Sequence, residues 1–291
     1  MNYKYLAAGV LLVTIIFAPL QKLSAHEQEG TLDKVSRTGE FVIGFELDAN
    51  PLSYRSKSGE PSGYSVDFCR RIGAAVKSHL GRSDIKIKYV PVSLNERISS
   101  VESGKVDIEC GSATITLSRQ EKVDFTLPTF ITGGSVMSKA DSGIKSIGLL
   151  AGKKVGVAKT TTTSEQLAGY LKDNFIDAEV VLTENRTEGM KQLTEGKIDA
   201  FASDQIVLIG MMLESGDAKQ FTLAHDTFSY EPYGLIVRRN DADFRLVANR
   251  TLSQMYRTGQ HSKMYKKWMG RSGIRPSKIL AAMYQLNIIP E

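Results

Sequence analysis

The segment ECGSATITLSRQEKVDFT, residues 109–126, sets Ser112, Thr114, Thr116 and Ser118 directly before one guanidinium, Arg119. Arginine presents a planar fork that can hold a carboxylate by two parallel hydrogen bonds. Hydroxyls at a strand end add neutral donors, so the pattern describes a pocket for a small anion; it also describes an exposed turn, since Ser and Thr are common in loops. Two further segments favour the pocket. AKTTTTSEQL, residues 158–167, runs a strand into four threonines and then a helix. A helix N-terminus carries free N–H groups and partial positive charge, and Thr162 and Thr163 are candidates both to cap this one and to donate to a ligand. FASDQ puts Asp204 at a strand end, where an acid faces the crevice of an α/β sheet; it can hold an ammonium group, cap the following helix, or do both. A carboxylate holder, hydroxyl donors and an ammonium acceptor make up the inventory for an α-amino acid zwitterion.

The elements that must position these groups follow from periodicity. GEFVIGFELDA alternates as a strand and NPLSYRSKSGEPSGY continues it as turns. SVDFCRRIGAAVKSHL has helical spacing with Ser65 as a candidate N-cap. IKIKYVPV, NERISSVESG and KVDIEC then read as strand, helix and strand, an α/β run. The order recurs in AGKKVGVA, TSEQLAGYLKDN, AEVVLT, RTEGMKQLTEG and KIDAFASD. VESGKVDIECG (101–111) and LTEGKIDAFAS (193–203) share one phrase: helix, Gly-Lys, β-branched residue, Asp, strand. Glycine is the expected helix stop, so the match points to two lobes on one plan. EPYGLIVRRND adds a strand, and the remainder is helical, with Tyr256, Tyr265 and Trp268 spaced as core anchors.

Composition narrows the function class. The chain has 291 residues, 42% hydrophobic and 24% charged, with a formal charge of +5, ordinary for a globular protein of one large or two medium domains. Residues 1–25 carry Lys4, an apolar run from Ala7 to Leu20 and small residues Ser24 and Ala25, the pattern of a cleaved secretory signal. Losing them leaves a charge of +3, without the basic stripe that nucleic-acid binding needs. The two cysteines, Cys69 and Cys110, are expected to pair in an oxidising compartment; two buried free thiols are the alternative. The histidines His26, His79, His225 and His261 are scattered, and there is no G-x-S-x-G elbow, Walker A loop or G-x-G-x-x-G. No metal, cofactor or nucleotide chemistry is indicated.

These segments together, VDIECGSATITLSRQEKVDFT above all, with GYSVDF, GKKVGVAKTTTTSE, GKIDAFASD and EPYGLIVRRND, resemble the family 3 extracellular solute-binding proteins of ATP-driven amino-acid importers, over residues 30–275. Within that family the chain looks most like the glutamate/aspartate-binding branch. The resemblance implies a two-lobed, type II periplasmic-binding-protein-like α/β fold, each lobe a mixed sheet flanked by helices, joined by two hinge strands. The crossings fall near Phe130–Ser138 and Tyr230–Val237, which gives lobe one as 26–133 with 236–291 and lobe two as 134–235. It implies a periplasmic monomer that binds a free amino acid, polar or acidic, and delivers it to a membrane permease and its ATPase. The family's carboxylate-binding arginine falls on Arg119, its hydroxyl donors on Ser112 and Thr114, its second-lobe threonine on Thr162 or Thr163, and its ammonium-binding acid on Asp204. At the side-chain end the chain departs from the acidic branch. Glu46 stands where that branch has an arginine, Arg97 is kept, and Arg186 replaces a histidine. Either the two cations restore recognition of an acidic side chain, or the pocket takes another polar or cationic amino acid. An exported dehydratase of the prephenate or arogenate class on the same scaffold, with Glu46 as its acid or base, is the alternative.

Overall fold

The computed structural model describes residues 29–270 and 273–290; the expected signal segment, residues 1–25, and His26 lie outside them. Helix α1 (Thr31–Thr38) is stopped by Gly39 in the left-handed region. There follow β1 (Glu40–Phe45) and a small antiparallel sheet of β2 (Asp48–Ala49), β3 (Ser53–Arg55) and β4 (Pro61–Ser62). Next come α2 (Tyr64–His79), β5 (Lys86–Pro91), α3 (Arg97–Glu102), β6 (Ile108–Glu109), α4 (Leu117–Gln120), β7 (Val123–Phe125) and β8 (Phe130–Thr132). The middle of the chain forms β9 (Gly134–Lys139), β10 (Lys154–Ala158), α5 (Thr162–Asp173), β11 (Glu179–Thr183), α6 (Arg186–Thr194), β12 (Ala200–Asp204), α7 (Gln205–Glu214) and β13 (Phe221–Leu223). It returns through β14 (Glu231–Tyr233) and β15 (Ile236–Arg238) to α8 (Ala242–Arg257), α9 (Gln260–Met269) and α10 (Lys278–Leu286).

Two five-stranded mixed sheets result, ordered β5-β1-β6-β15-β7 and β11-β10-β12-β9-β13. They have the same plan: three parallel strands, then an antiparallel strand, β15 in the first and β9 in the second, then an edge strand antiparallel to that one. The repeated phrase has a physical reason. Gly104 and Gly196 both end their helices at φ +73°, a conformation that favours glycine. Three residues on, Asp107 accepts the Val42 N–H at 2.8 Å and Asp199 accepts the Lys154 N–H at 2.7 Å. Each aspartate thus satisfies the entry of the neighbouring parallel strand. Val106 and Ile198 between them fill the space left by Gly44 and Gly156.

The fold is therefore α/β with two lobes, each a mixed sheet flanked by helices. Between the sheets run β8 and β14, paired antiparallel with Phe130 opposite Tyr233 and Thr132 opposite Glu231. The C-terminal helices pack on the first lobe: Phe68 meets Tyr256 edge-on, Phe130 stacks on Tyr265, and the Tyr64 and Tyr284 hydroxyls are 2.6 Å apart. Tyr256 and Tyr265 are core residues. Trp268 is half-buried and donates to Asp67.

Two capping expectations are corrected. Helix α2 begins at Tyr64 after Gly63, not at a Ser65 cap, because the Pro51 and Leu52 carbonyls accept the Tyr64 and Ser65 N–H groups at 2.9 Å. A side chain on Gly63 would collide with the Leu52 carbonyl. Helix α5 is capped by Thr161, which accepts the Ser164 N–H, and not by Thr162 or Thr163. Those two are thereby left free to face the space between the lobes.

Cys69 of α2 and Cys110, just after β6, form a disulfide with a Cα–Cα distance of 6.3 Å across 41 positions. It fastens a helix to the strand end that leads into Ser112. Replacing both cysteines by alanine is expected to lower unfolding stability by about 4 kcal/mol on chain-entropy grounds, measured as a fall in the urea midpoint. Thiol titration of the unreduced native protein is expected to find none free.

Candidate functional site

The C-terminal ends of the parallel strands in both sheets face one another, and this is where the expected residues collect. From the first lobe come Glu46 after β1, Arg97 at the start of α3, Ser112 and Thr114 on the β6–α4 loop, and Arg119 in α4. From the second come Thr162 and Thr163 at the start of α5, Arg186 at the start of α6, and Asp204 ending β12. All of these except Glu46 line a single cavity, and Glu46 lies directly behind Ser112. The enclosed space is about 10 Å³, room for roughly one water molecule. A larger guest enters only if the contacts between the lobes open.

At one end of the cavity sits an ion cluster. The Glu46 carboxylate accepts from Arg186 at 2.7 Å, from Arg97 at 3.3 Å and from the Ser112 N–H at 2.9 Å. Arg186 also donates to the Ser112 hydroxyl at 2.8 Å and reaches Asp48 at 3.3 Å. The side chains of Glu46, Arg97 and Arg186 are 1%, 5% and 3% exposed, so each charge must find its partner inside the protein. Burial acts to raise the Glu46 pKa, but Arg186 and Arg97 outweigh it and hold the carboxyl down to about 2. Arg186 is pushed up despite its burial, chiefly by Glu46. Glu46 is therefore held as an anion by both arginines, which disfavours the acid half of the acid-or-base role expected of it in a dehydratase.

Behind the cluster lies a second carboxyl. Gly111 is tight: a side chain there would strike both Glu46 and Glu109. Glu109 is fully buried, neither oxygen finds a well-formed hydrogen bond, and burial together with the Glu46 charge pushes it up to about 8. It is a neutral acid at pH 7.

The other end is built for a different pairing. Arg119 donates to the Thr114 carbonyl at 2.7 Å; burial and neighbouring Arg97 lower it to about 10, leaving it cationic at neutral pH. Thr116 caps the short helix that carries it by accepting the Arg119 N–H, and pairs with Ser118. These two hydroxyls shape the turn and lie outside the cavity lining. Across the gap, Asp204 accepts from Thr163 at 3.2 Å and is raised to about 6 by burial and by Glu231. Although Asp204 occupies the cap position of α7, its side chain makes no capping bond. The Tyr233 hydroxyl is buried beside it without a well-formed hydrogen bond. Sequence reading missed Glu231. Its carboxylate, carried on β14, accepts from Thr114 at 2.6 Å, Thr162 at 2.9 Å and Ser229 at 2.7 Å, so it ties the two lobes through their threonines. Its one signal was an acid opening an otherwise apolar strand. Among the described residues no group of His, Cys, Asp and Glu could hold a metal ion, and no helix is long and apolar enough to cross a membrane.

Residues 41–271 match the model of the bacterial extracellular solute-binding proteins, family 3. The L-glutamate/L-aspartate-binding protein of Pseudomonas aeruginosa is 33% identical over 264 residues, 90% of this chain and 87% of that protein. The glutamate/aspartate import solute-binding protein of Escherichia coli is 28% identical over 82% of this chain and 79% of its own length. Among solved structures, an ancestral arginine-binding protein bound to arginine superposes with a TM-score of 0.69 at 29% identity, covering 79% of this chain and 98% of that one. An ancestral amino acid-binding protein, a precursor of cyclohexadienyl dehydratase, gives 0.68 at 27% identity, covering 82% and 99%.

Glu109 makes stability depend on pH with a definite sign. Burial and the Glu46 charge raise its folded pKa to about 8, above the ordinary carboxyl value of 4.5, so the native state holds a proton that the unfolded state releases, and stability falls as pH rises from about 4.5 to 8. Glu109→Gln is expected to remove that fall. The variant should gain on the wild type by a few kcal/mol between pH 5 and pH 9 in chemical denaturation.

Proposed function

Since the chain belongs to the bacterial extracellular solute-binding proteins, family 3, we propose that it is the periplasmic substrate-binding component of an ABC importer for amino acids. In this reading a monomer, exported by its N-terminal signal, captures a free amino acid and presents it to a membrane permease with its ATPase. The clamp comprises lobe one, residues 26–133 and 236–291, and lobe two, residues 134–235, hinged at β8 and β14. The observation that carries the reading is one cavity lined by Arg119 from one sheet and Asp204 from the other. Arg119 takes the α-carboxylate with Ser112 and Thr114, and Asp204 takes the ammonium group with Thr163.

Closure supplies contacts that an open form lacks. Thr114 meets Thr162 at 3.2 Å, Arg186 meets Glu46, and Asn95 meets Thr160. A ligand that bridges Arg119 and Asp204 adds to these only in the shut state, and that differential affinity shifts the equilibrium toward it. The dehydratase reading has less support: the named relatives are binding proteins of transporters, and the protonated carboxyl, Glu109, does not line the cavity.

Arg119→Ala is expected to weaken any bound amino acid by about 100-fold or more, two charge-assisted bonds being lost, with an unchanged circular-dichroism melt; retained affinity in calorimetry would refute the site. Asp204→Asn should weaken amino acids more than their des-amino analogues, and equal losses would argue against an ammonium role. Asp204 must be ionised to pair with ammonium, and its pKa is about 6. Affinity is therefore expected to rise from pH 4 to about pH 7 and then level off, and Asp204→Asn should flatten this profile.

A further inference from the structure

Building on the amino-acid reading of this cleft, we infer that its side-chain end selects a neutral amino acid, because the chain itself supplies the anions that its arginines would otherwise offer to a ligand. The charges at that end close on themselves. Two guanidinium groups, Arg97 and Arg186, face two carboxylates, Glu46 and Asp48, with Glu46 shared between both arginines and Asp48 held by Arg186. The sum is zero.

Part of the remaining hydrogen-bonding capacity is also used within the chain. Arg97 spends its other contacts on the Leu94 and Ser112 carbonyls. The Ser112 hydroxyl donates to Glu46 and accepts from Arg186. An acidic side chain would bring a third carboxylate to a buried set whose two cations already balance two, a costly arrangement. Nor can Glu46 step aside. Its carboxylate is held by the Ser112 N–H, and the room behind it, over Gly111, is taken by Glu109. Retreat would press one carboxylate onto another. A cationic side chain meets the converse problem: both carboxylates of this set already serve arginines. A neutral side chain, aliphatic and small or carrying an amide or hydroxyl, leaves the balance intact and can rest on Ala158, Ala202 and Ser203, which line the cavity. Glu46 then works as an internal competitor of acidic ligands, the reverse of what the Pseudomonas relative's name states of that protein.

The test is titration calorimetry with pairs that differ in charge and little in shape: L-glutamine against L-glutamate, and L-asparagine against L-aspartate, with L-arginine and L-lysine as the cationic arm. The wild type is expected to bind the amide of at least one pair 10-fold or more tighter than its acid, and tighter than either cationic ligand. Glu46→Gln frees one unit of positive charge and is expected to move the acid-to-amide ratio toward the acid by 10-fold or more. Asp48→Asn, the second partner of Arg186 with 21% of its side chain exposed, should shift the ratio the same way by a smaller factor, and it keeps the test open if the buried variant fails to fold. An acid or a cation bound as tightly as the amide, or a ratio unmoved by the variants, overturns the inference while amino-acid binding stands. Absence of binding by all twenty amino acids overturns both.

Discussion

An ionised carboxylate removed from water must be paired, and Glu46 is paired from both sides of the cleft. Arg97 reaches it from its own lobe and Arg186 from the other. The second of these bonds crosses the cleft, so one buried ion pair couples the local solvation of a single side chain to the contact between the two sheets' ends. Breaking it on opening would leave Glu46 with Arg97 alone, but in contact with solvent, where a lone charge is tolerable.

Around that pair the two sheets act as a repeated frame. Each brings its parallel strands to the cleft by their C-terminal ends, the place where open α/β sheets present ligand groups. The equivalent aspartates, Asp107 and Asp199, bond the entries of β1 and β10 at the opposite ends. The frame is held far from the site, and the loops at the site are free to differ. That freedom is used unequally: the first lobe supplies the ring of Glu46, Ser112 and Arg97, and the second supplies Thr163, Asp204 and a single reaching arginine.

The polar tie between the lobes has a second strand. Glu231 on β14 receives the hydroxyls of Thr114 and Thr162, one from each side of the gap. Its position in the connecting ribbon, opposite Thr132, places a buried carboxylate behind two threonines that line the cavity. Burial, and then Glu231, raise the proton affinity of Asp204.

By itself the sequence determined the elements and most of the lining. Alternating apolar residues set the strands, and the recurring Gly-Lys-Xaa-Asp phrase set the doubled plan. Arg119, Ser112, Thr163 and Asp204 were legible because strand ends and helix starts are local features, and local features lie within a few residues. Where a cap was misjudged, at Ser65 and at Thr162 or Thr163, the deciding partner was a carbonyl brought in by a turn or an adjacent threonine with better geometry. What only the tertiary structure decided was which charges meet. Glu46 and Arg186 are 140 positions apart, and no periodicity relates them. Glu109 looked like any strand residue until Gly111 let it close on Glu46, and Glu231 looked like a polar strand end until β14 turned it toward the threonines. Burial converts these acids into opposites, one held ionised and one held neutral, because the free energy of a charge depends on neighbours that the chain supplies only after it has folded.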